Sequence, residues 1–218
     1  MKNFIIRLAG LVLLSYFQAQ TAFGQPEWKF VTERDGIRIS SRGVADSKVK
    51  ALRVDCTLNA GAAAIVALLL DIDASVQWVS HTKTCTLVKQ ISLSELYYYS
   101  EVSLPWPLNN RDFVAHIKVT QDPLTKVVTV DAPAVKGFVK NRDNLVRITH
   151  STGLWRLTPL GSKTTKVEYT LQVDPGGVIP AWLVNSLSAQ GPMESFKGMK
   201  TQLLKPKYLS TKLPYIAD

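Results

Sequence analysis

The sequence predicts an α+β domain in which a curved antiparallel sheet can wrap one long C-terminal helix. Three observations carry this. Hydrophobic alternation of period two runs almost without break from Lys83 to Asp174. Short turn signals, Pro105–Asn110, Asp122-Pro123 and Leu160-Gly161-Ser162, divide that stretch, so consecutive strands are joined as an antiparallel meander. After Asp174-Pro175-Gly176-Gly177, apolar positions Ile179, Trp182, Leu183 and Leu187, then Met193, Phe196 and Met199, recur at three- and four-residue steps.

The first 24 residues read as a segment outside the fold. Met1-Lys2-Asn3 is a short basic start, and Phe4–Phe17 is an apolar run interrupted by Arg7 and Ser15. Ala22-Phe23-Gly24 then places small residues at −3 and −1 of a cut before Gln25. A cleaved signal peptide over residues 1–24 is the favoured reading, and an N-terminal membrane anchor is the alternative. With the signal removed, the protein is expected in a periplasm or outside the cell.

From Pro26 onward there is no repeat, linker or second composition regime, so one domain is expected over 25–206 with a C-terminal tail over 207–218. Gly36–Ser40 and Lys48–Leu58 are strand-like, with Leu52, Val54, Cys56 and Leu58 on one face. Asn59 is placed to cap a helix from Ala60 to about Asp73, followed by a short irregular piece at Ser75–Val79. The meander strands are Thr84–Ile91, Glu95–Leu104, Arg111–Gln121, Thr125–Ala132, Asn144–Ser151, Gly153–Pro159 and Lys166–Asp174. The last helix spans Ile179–Leu204 and is interrupted at Gly191-Pro192, where proline removes a backbone hydrogen bond.

Composition narrows the function. With 20% charged and 46% apolar residues, the 218-residue chain has material for a core and is not a disordered polyampholyte. The net charge is +9, or +7 without Lys2 and Arg7. In an exported protein that balance favours anionic membranes or acidic polymers over nucleic acid. Lys197, Lys200, Lys205, Lys207 and Lys212 crowd the C-terminal stretch, as a docking face or simply a solvated one. Two cysteines and three scattered histidines give no zinc-type ligand spacing, and no metal or cofactor is expected. Cys56 and Cys85 could form a disulfide or remain as core thiols. No nucleophile elbow or phosphate loop occurs.

Along Arg111–Val119, the residues Arg111, Phe113, Ala115, Ile117 and Val119 share the inward face, with Asp112, Val114, His116 and Lys118 opposite. A charged Arg111 in an apolar row needs partners. It either braces the strand against a carboxylate or loop carbonyls, or contacts a ligand at a cavity mouth. Tyr97, Tyr99 and Glu101 share one face of their strand, and the alternation leaves open whether that face or that of Tyr98 and Val102 points inward.

Three segments resemble one family. Trp106-Pro107-Leu108-Asn109-Asn110-Arg111-Asp112-Phe113-Val114 is similar to the tryptophan-proline and arginine-aspartate signature of START domains, the steroidogenic-acute-regulatory-related lipid-transfer family. Val139–Ile148 with Gly153-Leu154-Trp155 resembles the strand pair that follows there. Asp174–Asn185 is similar to the entry into that family's C-terminal helix. The matches occur in order and span about residues 28–204, in the manner of an exported, single-domain bacterial member. The resemblance implies a helix-grip fold with a lipid-sized tunnel between sheet and helix. Some sterol-carrying members place a second arginine six residues after the first; here that position is Ile117, which implies a more apolar cavity.

The resemblance therefore implies a monomeric protein that binds, and can transfer, one sterol, phospholipid or other lipid, with transient contact to an anionic membrane. The expected ligand-facing residues are Tyr97, Tyr99, Glu101, Arg111, Phe113, Ala115, Ile117, Trp182, Leu183, Leu187, Met193 and Phe196, the last five on a C-terminal helix acting as lid. Two other classes stay open: a helix-grip enzyme of cyclase or hydrolase type using Glu101 or His116 as acid or base, and a basic envelope-interaction module.

Overall fold

In the computed structural model, residues 27–45, 47, 49–177, 179 and 189–217 are described. The period-two segments become strands: β1 (Lys29–Arg34), β2 (Ile37–Arg42), β3 (Ala51–Leu58), β4 (Thr82–Ser92), β5 (Glu95–Val102), β6 (Arg111–Gln121), β7 (Val128–Asp131), β8 (Ala134–Val135), β9 (Val146–Arg147), β10 (His150–Gly161) and β11 (Thr164–Asp174). They form one sheet ordered β1-β2-β3-β11-β10-β7-β6-β5-β4, with the short β8 and β9 paired to β6 off that path. The predicted α+β architecture of a curved antiparallel sheet with a C-terminal helix is what the chain adopts.

Two strand expectations change. β1, exposed along nearly its whole length, carries no alternation to read. Asn144–Ser151 and Gly153–Pro159 are not two strands but the two-residue β9 and the long β10, which runs straight through Gly153. Gly153 pairs with Leu171 of β11 and exchanges backbone hydrogen bonds with Ala132. It is a strand residue without a side chain, not a turn.

Between β3 and β4 the chain forms α1 (Ala62–Leu70), then a 3-10 turn over Ile72–Gln77. α1 is apolar all round and seven of its nine residues are buried, as befits a helix enclosed by the domain. It starts at Gly61 with no side-chain cap rather than at Asn59. It stops before Asp73 because the Asp71 carboxylate accepts the Ala74 N–H at 3.2 Å, offering the backbone an alternative to the helix. Asp71 also accepts from Lys207 Nζ at 2.6 Å and Tyr208 Oη at 2.8 Å.

The C-terminal helix is α2 (Gln190–Gln202), followed by the single turn α3 (Pro206–Leu209). Gly191-Pro192 lies in the first turn of α2, where the N–H that proline lacks would have no helical acceptor. Residues 180–188, the first half of the predicted helix, lie outside the described residues, as does the predicted signal peptide. Met193, Phe196 and Met199 form the buried stripe of α2, and each such side chain is worth about 1.5–3 kcal/mol of apolar transfer. Gly198 lets α2 approach the Trp78 backbone: a Cβ there would lie 2.8 Å from the carbonyl oxygen and 2.9 Å from Cα.

Residues 207–217 are not a free tail. Tyr208 and Ile216 are buried, Tyr215 Oη donates to the Leu93 carbonyl at 2.8 Å, and the Ala217 N–H donates to Gln121 Oε1 at 2.8 Å. Both cysteines are free and buried. β3 and β4 lie in different arms of the sheet. Burial pushes the Cys56 thiol up to about 12 and the Cys85 thiol up to about 11, so both are inert protonated core groups.

Two outcomes follow from these contacts. Gly198→Ala forces backbone against backbone and should cost about 1–3 kcal/mol in urea unfolding, with an unchanged m-value. For Asp71, burial raises the carboxyl pKa, but the hydrogen bonds from Lys207, Tyr208 and Ala74 outweigh it and leave a net lowering from 3.8. A folded value below the unfolded one gives stability that is present above the unfolded pKa and disappears as pH falls through the folded one. The stability difference between wild type and Asp71→Asn should therefore shrink on acidification below about pH 4.

Candidate functional site

The site is organised by the first two residues of β6. Arg111 is 4% exposed and faces the concave side, as its alternation predicts. Its partners are all backbone carbonyls: Nε donates to Pro175 at 3.2 Å, Nη2 to Gly176 at 3.1 Å, and Nη1 to Asn109. Burial lowers its pKa, but a guanidinium remains charged. Of the two roles open in the sequence, the bracing one is the arrangement observed. Gly176 and Gly177 have φ of +63° and +66°, a left-handed turn that presents those carbonyls to the guanidinium.

Asp112 points the other way and is 1% exposed. Arg147 grips it with Nε–Oδ1 at 2.7 Å and Nη2–Oδ2 at 2.9 Å, while Tyr99 Oη donates to Oδ2 at 3.2 Å. Arg147 also donates to the Val139 and Lys140 carbonyls. Arg111 thus fastens β6 to the turn that follows β11, and Asp112 fastens it to the segment crossing the outer face.

The β5–β6 register decides the tyrosine parity. Tyr98 opposes Ala115, Val102 opposes Arg111, and Leu96 opposes Ile117, so these side chains face inward. Tyr97, Tyr99 and Glu101 oppose His116, Val114 and Asp112 on the outer face, which corrects their expected placement. Tyr97 lies between the rings of His116, at 4.4 Å, and Phe138, at 4.2 Å. His116 Nε2 is 2.7 Å from Glu95 Oε1. Glu101 accepts from Lys83 at 2.8 Å and Asn110 at 3.1 Å. The candidate acid–base residues Glu101 and His116 therefore lie outside the interior. Leu96, Val102 and Leu104 sharing a parity with Tyr98 was the sequence signal that separates the faces.

Between sheet and α2 lies an inner compartment of about 340 Å³. Six rings line it: Trp78, Tyr98, Phe113, Trp155, Tyr169 and Phe196. Trp155 stacks on Tyr169 at 4.0 Å and on Phe196 at 5.4 Å, joining β10, β11 and α2 in one aromatic wall. An outer compartment of about 630 Å³ shares Leu171, Val173 and Pro192 with the inner one. It is bounded by Val49, Leu52, Leu104, Pro105, Leu108 and Ile179, with Lys50 and His81 at its margin.

Of the residues expected to face a ligand, Phe113, Ile117 and Phe196 line the inner compartment. Ala115 and Met193 are buried beside it, Arg111 braces its rim, and Trp182, Leu183 and Leu187 lie outside the described residues. Trp78, Trp155 and Tyr169 were not singled out from sequence, because their convergence depends on strands and helices far apart in the chain.

The lysines of α2 are already engaged. Lys197 pairs with the Asp35 carboxylate at 2.8 Å and Lys200 donates to the Asp35 carbonyl at 2.6 Å. Near the start of α2, Ser80 Oγ donates to Glu194 at 2.6 Å and the Ser80 N–H to Ser195 Oγ at 2.9 Å. Among the described residues, no cluster of His, Cys, Asp and Glu could hold a metal ion.

A curved sheet closed over an apolar cavity by its C-terminal helix defines a helix-grip, ligand-enclosing protein. The START domain family model matches residues 13–207, and the chain belongs to that family. It is 30% identical over 197 residues to an uncharacterized protein of Pseudomonas aeruginosa, covering 90% of this chain and 96% of that one. It is 26% identical over 189 residues to the human phosphatidylcholine transfer protein, covering 83% and 85%. The crystal structure of a STAR-related lipid transfer protein from Xanthomonas axonopodis superposes with a TM-score of 0.75 at 30% identity, covering 82% of this chain and 99% of that one.

Arg111→Leu leaves the Asn109, Pro175 and Gly176 carbonyls without their donor in a poorly solvated site. It should destabilise the fold by about 3 kcal/mol, measured by chemical unfolding. Unchanged stability combined with lost ligand uptake would instead make Arg111 a ligand contact.

Proposed function

We propose that the protein binds one lipid-sized hydrophobic molecule in the two-compartment cavity and carries it between membranes, without changing it chemically. The observation that carries this is the enclosed aromatic and aliphatic space between sheet and α2, lined by few polar groups. The names of its relatives, a phosphatidylcholine transfer protein and a STAR-related lipid transfer protein, point the same way and make a phospholipid the first ligand to test. The placement of Glu101 and His116 on the outer face speaks against the enzyme reading that relied on them.

Entry through the outer compartment is favoured, where the Pro105–Asn110 loop meets Pro192 at the start of α2. Trp106 on that loop is 93% exposed, and Lys50 and His81 stand at the margin, a combination suited to an anionic lipid surface. With Lys197 and Lys200 bound to Asp35, opening belongs to the N-terminal end of α2 rather than to a swing of its whole length. Export with removal of residues 1–24 is part of this reading, supported by the basic start, the apolar run and the small residues before Gln25.

Organic extraction of the purified protein followed by mass spectrometry tests the central claim, with about one lipid per chain expected. Gly153→Leu adds a side chain at the cavity wall, where a Cβ makes only ordinary contacts of 3.5–3.6 Å. It should reduce uptake of a fluorescent phospholipid at least about tenfold while the fold persists. Unaltered uptake by that variant would place the ligand elsewhere. Trp106→Ala should slow transfer from anionic vesicles and leave equilibrium binding unchanged; equal transfer rates would remove the loop from the entry route.

A further inference from the structure

Charged and neutral groups are distributed unevenly between the two compartments. Among the described residues, no Asp, Glu, Lys, Arg or His lines the inner one, whereas the outer one has Lys50 and His81 at its margin. The polar side-chain groups of the inner wall are serine and tyrosine hydroxyls and the indole N–H groups of Trp78 and Trp155. The Ser80 and Ser195 hydroxyls are spent on Glu194 and on the Gly191 carbonyl, the latter at 2.8 Å. One buried donor has no partner among the described residues, the Nε1–H of Trp78, an indole that is itself 8% exposed, and the side chains of Tyr98 and Tyr169 bring two phenol hydroxyls to the same wall.

The two tyrosines sit on facing arms of the sheet, Tyr98 on β5 and Tyr169 on β11, yet line the same compartment. Their rings are held from the side, Tyr98 edge-on to Phe113 at 5.8 Å and Tyr169 stacked on Trp155. Burial holds both phenols protonated far above neutral pH. They therefore remain donors under all physiological conditions. Gly153 keeps the space beside Tyr169 open: even a Cβ there would stand 3.5 Å from the hydroxyl.

A donor facing a poorly solvated apolar cavity gains when a bound molecule supplies an acceptor there. An uncharged oxygen does so at little desolvation cost. A carboxylate or phosphate would have to enter a compartment with no cation to pair it. We infer that the inner compartment receives an uncharged oxygen-bearing group of the ligand, an ester, ketone or hydroxyl, through Tyr98 and Tyr169, while any anionic group stays in the outer compartment. This inference rests on the proposed lipid cavity and specifies what that cavity selects.

Three probes built on one sixteen-carbon chain and differing only at one end test it: methyl palmitate, hexadecane and palmitate, each delivered from cyclodextrin in displacement of Nile red. The full-length mature protein is compared with Tyr98→Phe, Tyr169→Phe and the double variant, all of which keep the ring contacts. Methyl palmitate should bind at least tenfold tighter than hexadecane to the wild type. That preference should fall to within twofold in the double variant, with hexadecane binding unchanged. Palmitate affinity should not respond to the tyrosine changes. The inference is overturned if the wild type does not distinguish ester from alkane, if the double variant keeps the preference, or if palmitate loses affinity in parallel with the ester. Should the double variant fail to fold, the wild-type ratio and the two single variants decide the same question. Failure of Nile red and every probe to bind the folded wild type would instead remove the lipid cavity itself.

Discussion

The structure depends on one pair of adjacent residues whose side chains leave β6 in opposite directions. A strand can do this because successive side chains alternate between faces. Arg111 is spent on three carbonyls of two loops, and Asp112 on a two-point grip by Arg147. Both charges are almost fully buried, so each is tolerable only with its partners in place, and apart from Asn109 those partners belong to other segments of the chain. The pair therefore fixes where the chain turns toward the C-terminal helix and how the outer segment lies across the sheet. The cavity rim follows from the first of these.

From that anchor the division of labour between faces is clear. The outer face near β5 and β6 is a packed polar and aromatic layer, in which Tyr97 stacks between His116 and Phe138, Tyr99 donates to Asp112, and Glu101 accepts from Lys83 and Asn110. The inner face leaves rings and hydroxyls open. Aromatic side chains suit such a wall because they give a large apolar surface with restricted rotamers, and their rings brace one another through offset stacking. Trp155 is central, touching Tyr169 across the β10–β11 pair and Phe196 on α2.

The helix that closes the cavity is held by polar contacts at several points rather than by its apolar stripe alone. Ser80 engages Glu194 and Ser195, Asp35 engages Lys197 and Lys200, and Asp71 engages Lys207 and Tyr208. Exposed ion pairs contribute little each, so this set acts more on geometry than on stability.

The sequence by itself determined the class of fold, the meander and the inward side of β6, because period-two alternation is a local property written in consecutive residues. The START signature at Trp106–Val114 and the entry at Asp174–Asn185 were legible for the same reason. It also exposed the need of Arg111 for partners, though not their identity. Only the tertiary structure decided that those partners are carbonyls, that Tyr98 rather than Tyr97 and Tyr99 faces the cavity, and that Cys56 and Cys85 are apart. It likewise drew the last residues into the domain through Tyr208 and Ile216. Each of these depends on strand register or on contacts between separate segments of the chain, such as Arg111 with Pro175 and Asp71 with Tyr208. In β5, where both faces carry tyrosine, alternation fixes only which residues share a face, and it takes the pairing with β6 to say which face is inside.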